Sequence, residues 1–150
     1  MTMKNLTILF AVMITLTRCN IGAGTLGSFD ENRFPIKKSD FLTAFDSLTE
    51  KQIPVKWKEN ASSIEHTYEF LADDVTCLYM NDNPEEMYFV SYQGNSKFTV
   101  ISVRSVFRHG RWSVKRDLDD EEIDRIEKRF EDEIIKKIEN RTRTKAERID

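Results

Sequence analysis

Four basic residues at short intervals, Arg104, Arg108, Arg111 and Lys115, form the densest chemistry-bearing group in the chain. If His109-Gly110 is a two-residue hairpin turn, pairing outward sets Arg108 opposite Arg111, Phe107 opposite Trp112 and Arg104 opposite Lys115. Side chains alternate across a strand, so this spacing predicts one face of Phe107, Trp112, Ser105, Val114 and Val103 and another of the four bases. Like charges set opposite one another repel, so such a face calls for acid. Residues 117–124, with six acids and no base, are an internal source. A phosphate, an anionic lipid headgroup, a polyanionic glycan or an acidic protein surface would be an external one. The four bases are therefore the candidate binding residues.

Catalytic patterns are sparse. The two histidines, His66 and His109, lie far apart in sequence. His66 is expected on a strand, where Glu69 would point to the opposite face, so no metal site is expected there. There is no G-x-S-x-G elbow, Gly-rich phosphate loop or HExxH pattern. Asn81-Asp82-Asn83 opens like a calcium loop, but Pro84 follows and the Gly and final Glu are out of register. The adjacent acids Asp73-Asp74 and Glu85-Glu86 read as solubilising turn residues. No catalytic residue and no cofactor is assigned.

The elements that must position the hairpin follow from the hydrophobic pattern. Phe41, Leu42, Phe45 and Leu48 recur at helical spacing behind Ser39 or Asp40 as a cap. Pro54 biases Ile53 toward an extended form, and Trp57 is expected in the core. Strands are predicted over 67–71, 75–80, 87–92, 97–108 and 111–118, with short connections that favour an antiparallel meander and with Gly94-Asn95 as a type II′ turn. A long helix opens at Asp119, with Glu122 at the third position and Leu118 and Ile123 placed as a staple. Ile123, Ile126, Phe130, Ile134 and Ile138 form its apolar stripe, which is expected to pack on the Phe107 and Trp112 face. The expected class is α+β: an antiparallel sheet of four to five strands, a short N-terminal helix and a long C-terminal helix.

One domain suits 150 residues, and ten Phe, four Tyr and two Trp suffice for a core, which excludes wholesale disorder. A net charge of −3 argues against a dedicated nucleic-acid binder. Lys4 precedes an uncharged, mostly apolar run from Asn5 to Thr17, too short to span a bilayer and suited to a secretory signal. Leu16-Thr17-Arg18-Cys19 then resembles the lipobox of bacterial lipoproteins. Leu16, Thr17 and Cys19 match that motif, and Arg18 stands where the family has Gly, Ala or Ser. The resemblance implies acylation of Cys19 as the mature N-terminus and a membrane anchor facing the periplasm or exterior. A plain secreted protein cut near Ala23 and an uncleaved N-terminal anchor are the alternatives. If Cys19 is acylated, Cys77 is left as a single thiol that reads as a buried small hydrophobe; otherwise a Cys19–Cys77 bond is open.

The expected organisation is a signal peptide over 1–18, a Gly-containing tether over 19–32 and one α+β domain over 33–150. The expected role is a non-catalytic cell-envelope binding module, of which an immunity protein is one form by analogy. Its partners would be the membrane, through the lipid, and an acidic protein or anionic surface. The alternative is a small periplasmic carrier or enzyme with a cavity between helix and sheet lined by Tyr68, Tyr79, Tyr88 and Tyr92.

Overall fold

A computed structural model describes residues 28–49, 53–69 and 73–149. The leader, Cys19 and most of the expected tether lie outside these residues. The elements in chain order are β1 (Glu31–Phe34), α1 (Lys38–Asp46), α2 (Val55–Thr67), β2 (Asp74–Met80), β3 (Glu86–Gly94), β4 (Thr99–Arg108) and β5 (Arg111–Ser113). Then come a 3-10 turn (Lys115–Asp117), a long helix and β6 (Glu147–Ile149). The helix runs from Asp120–Phe130 through a π-helical turn, Glu131–Ile135, into Lys136–Thr142; together these are α3, 23 residues long. The class is α+β, as expected, with two helices before the sheet's hairpins rather than one.

The sheet is antiparallel in the order β2-β3-β4-β1-β6, with β5 beside the far end of β4. It carries helices on both faces. On one side α1 and α3 enclose Phe34, Phe41, Phe45, Tyr88, Val90, Ile101, Val103 and Val106. On the other, α2 covers Cys77, Met87, Phe89 and Phe107, with Trp57 and Trp112 packed edge-on to Phe107. The long helix therefore does not lie on the Phe107 and Trp112 face as expected; α2 occupies it. The residues of α2 and its C-cap that make this contact, Trp57, Ala61, Ile64 and Tyr68, step by four, three and four, a helical stripe legible in the sequence. Pro54 sits at the N-cap of α2, where its missing N–H costs nothing and its carbonyl accepts from Trp57 N. Of the strand expected over 67–71, Thr67 instead ends α2 and residues 68 and 69 form a turn; the rest of that span lies outside the described residues.

The tether ends earlier than residue 32. Phe29 is buried, its N–H donates to the Val103 carbonyl, and Glu31 and Asn32 pair with both β4 and β6. The expected cap is present: Asp119 Oδ1 accepts from Glu122 N at 2.9 Å, and Leu118 and Ile123 both pack against the core. The π turn answers a geometric problem in the stripe. Twelve residues at about 100° each would turn Ile138 roughly 120° away from Ile126. Both are fully buried in the same cluster, because the wider turn absorbs the drift. The β3–β4 connection is longer than two residues: Gly94 pairs with Thr99, and Asn95 Oδ1 accepts from Lys97 N and Phe98 N. Glycine is required at 94 by close approach, since a Cβ there would lie 2.6 Å from Thr99 Oγ1 and 2.9 Å from the Phe98 carbonyl oxygen.

Candidate functional site

The hairpin pairs as the sequence predicts at its tip. Arg108 faces Arg111, Phe107 faces Trp112 and Val106 faces Ser113. His109 and Gly110 both have positive φ, 49° and 76°, as a mirror-image turn requires. Four residues back, the pattern breaks. Phe89 faces Ser105 and the next residue, Val90, faces Val103, so Arg104 is the extra residue of a bulge. A one-residue insertion reverses the alternation. Val103 accordingly joins Val106 under α3 instead of sharing a face with Phe107.

The four bases consequently do not share a face. Arg104 is held at Ser91 Oγ (2.6 Å) and Asp73 (3.1 Å), and Ser91 is in register with Met87 and Phe89 on the α2 side. Arg108 turns to the other side, where it pairs with Glu122 of α3. Lys115 Nζ lies 2.7 Å from Asp30 and 3.1 Å from Glu127, and Arg148 of β6 reaches the same two carboxylates. Burial pushes the Asp30 carboxyl up, but hydrogen bonds from Lys115 and Arg148 outweigh it and hold it below its ordinary value. The same pairing raises Lys115 against the downward pull of burial. Arg111 alone of the four is exposed at the tip, without an ion pair among the described residues.

An ionic ladder that sequence reasoning missed runs beside the hairpin. Glu86, read as a solubilising turn residue, is 1% exposed at the start of β3. Its carboxylate accepts two bonds from Arg125 (2.6 and 3.1 Å), one from Arg129 (3.0 Å) and one from the Tyr88 hydroxyl (3.2 Å). Arg125 also reaches Glu122, and Arg129 reaches Glu133 and the carbonyls of Asp82 and Pro84. Burial lowers both guanidinium pKa values, but pairing with Glu86 for Arg125, and with Glu133 first for Arg129, leaves them above the ordinary value. Burial and the adjacent Glu86 push the Tyr88 phenol up. The signal in the sequence was the spacing of Arg125 and Arg129, one helical turn apart on the flank of the apolar stripe. Their partner on β3 is set by tertiary packing.

The remaining sequence candidates are scattered. Tyr88 and Tyr92 belong to the α1–α3 side, and Tyr68 and Tyr79 to the α2 side, so the four tyrosines do not line one cavity. A cleft of about 400 Å³ lies instead between α1 and the end of α3, lined by Ile36, Asp40, Thr43, Ala44, Arg141 and Thr142. His66 is on the last turn of α2 with Nδ1 3.2 Å from Glu69, the strand argument notwithstanding; both are exposed. His109 is exposed at the hairpin tip. Cys77 is a free, buried thiol whose pKa is driven up by burial and by Glu65. No helix among the described residues is long and apolar enough to cross a membrane. No protein-family model, curated protein or solved structure matches the chain.

Proposed function

We propose that the chain is an exported, lipid-anchored, non-catalytic binding module of the cell envelope that meets an acidic protein surface through the tip of the β4–β5 hairpin. Arg111 carries this reading. It projects from a tight turn beside half-buried Trp112, while the three other bases are committed to carboxylates of the domain itself. Arginine and tryptophan are the residue types that most often anchor interfaces, and a rigid hairpin presents them at little entropic cost. The contact proposed from the sequence thus narrows from four bases to Arg111, with Arg104, Arg108 and Lys115 positioning the hairpin.

The anchor rests on Lys4, the apolar leader and the lipobox-like Leu16-Thr17-Arg18-Cys19. Nine residues lie between Cys19 and the buried Phe29, which limits the reach from an acylated Cys19 to roughly 35 Å. The partner is therefore expected at or near the same membrane. A toxin held by its immunity protein is the kind of partnership such a short-tethered domain suits.

Two measurements test the reading. Labelling cells with a palmitate analogue should mark the protein and fail to mark a Cys19→Ala variant; an unlabelled parent chain returns the secreted alternative. A photo-crosslinking residue at position 109 should trap a partner, and Arg111→Glu should abolish that adduct with the melting temperature unchanged. A melting temperature lowered by Arg111→Glu, or an adduct indifferent to it, removes Arg111 from the interface.

A further inference from the structure

The C-terminal strand is attached to the domain in an unusual way. It is only three residues long, and it pairs through Glu147, Arg148 and Ile149 with Arg33, Asn32 and Glu31 on the outer edge of β1. Its side-chain ties are mostly ionic. Arg148 Nε lies 2.6 Å from Asp30, and its guanidinium also meets Glu127. The connection from α3 is held by Glu139, which accepts from Ala146 N at 2.9 Å and Lys145 Nζ at 2.8 Å. Among the described residues its apolar attachment comes from half-buried Ala146 and Ile149. The four-residue hinge, Arg143 to Ala146, begins with Arg143 in the left-handed region, φ 56° and ψ 31°. Glycine is at home there; a side chain with a Cβ is strained.

We propose that β6 exchanges between two copies of this chain, each copy laying its terminal strand on the β1 edge of the other. The occupant follows from the site itself: a second β6 restores the pairing with β1 and the seat of Arg148 between Asp30 and Glu127, and gives up only the ties of Glu139 to the hinge. Opening the hinge also lets Arg143 leave the left-handed region. That relief favours the exchanged form by roughly 5- to 30-fold per chain. Against it stands the high effective concentration of a strand on a short hinge, of millimolar order. Exchange is therefore a feature of crowded chains, such as those confined to a surface, and the exchanged dimer is isologous.

Crosslinking reads this directly. Arg33 and Glu147 are exposed and directly opposed across β1 and β6, within the Cα separation that a disulfide tolerates. Full-length chains carrying Arg33→Cys and, with a different tag, Glu147→Cys are co-expressed and oxidised in the membranes of the cells that make them. The parent chain controls for its own cysteines. A doubly substituted Arg33→Cys/Glu147→Cys chain reports the closed form. The expected result is a reducible heterodimer bearing both tags, diminished several-fold when Arg143→Gly is added to both chains and enriched when Thr144 and Lys145 are deleted. No heterodimer, alongside an internal bond in the double variant, overturns the proposal. So does a heterodimer that neither hinge change alters, which would report chance encounters, or a double variant that forms neither an internal nor an intermolecular bond between these positions, which would take β6 off the β1 edge.

Discussion

Removing the charge of Glu86 while keeping its shape isolates the ionic ladder from the apolar core beneath it. In Glu86→Gln, one carboxylate oxygen becomes an amide NH2 that faces guanidinium donors from Arg125 and Arg129. Hydrogen bonds to charged groups are worth about 1.5–3 kcal/mol each. The Arg129 side chain is 10% exposed and has little access to water to replace what it loses, so its bond counts nearly in full. The Arg125 side chain is 31% exposed and keeps Glu122, so its loss is discounted by about half for solvent screening. The expected cost is about 3 kcal/mol, at the lower end of what breaking a buried pair costs. For a chain of this length that corresponds to roughly 10 °C in melting temperature. Urea titration followed by the fluorescence of Trp57 and Trp112, both on the far side of the sheet, would measure it. Glu85→Gln, at an exposed neighbour, is the control. A Glu86→Gln protein within about 0.5 kcal/mol of the parent would refute the claim that this carboxylate organises the contact between α3 and β3.

Asp30 and Glu139 both have carboxyl pKa values held below their ordinary 3.8 and 4.5, so the stability they contribute is complete above those values and is lost as pH falls through the lower folded ones. Acid titration should loosen β6, and Asp30→Asn should flatten that part of the profile in hydrogen exchange. Gly94→Ala should destabilise by about 1–3 kcal/mol, because the new methyl meets the Phe98 backbone as well as a side chain; denaturant midpoints would show it. Cys77, buried and with its thiol pKa driven up, should react with a thiol reagent only at the rate of opening, and fast labelling of the native protein would contradict its placement. Arg108→Glu should lower the melting temperature where Arg111→Glu does not, because only the former leaves Glu122 facing a like charge.

Local signals in the chain were sufficient for the elements whose causes are local. Asp119 caps α3 because its carboxylate lies within reach of the first free N–H groups, and the stripe from Ile123 to Ile138 marks the buried side whatever it lands on. The tip of the hairpin follows equally from two adjacent residues able to take positive φ. β1 and β6 had no such signature: four and three residues, mostly polar, become strands because β4 and then β1 offer them an unpaired edge.

What only the tertiary structure decided is which side of the sheet each residue serves. Alternation along a strand is reliable until a bulge adds one residue, and the bulge at Arg104 arises from the pairing of β4 with β3, not from any residue type that announces it. That single insertion separates Arg104 from Arg108 and brings Val103 and Val106 together under α3. It also turns Arg108 to the α3 side of the sheet, where Glu122 meets it. Burial of Glu86 has the same origin: next to another acid in a turn it looks solvated, and only the arrival of Arg125 and Arg129 from a helix some forty residues away makes its desolvation tolerable.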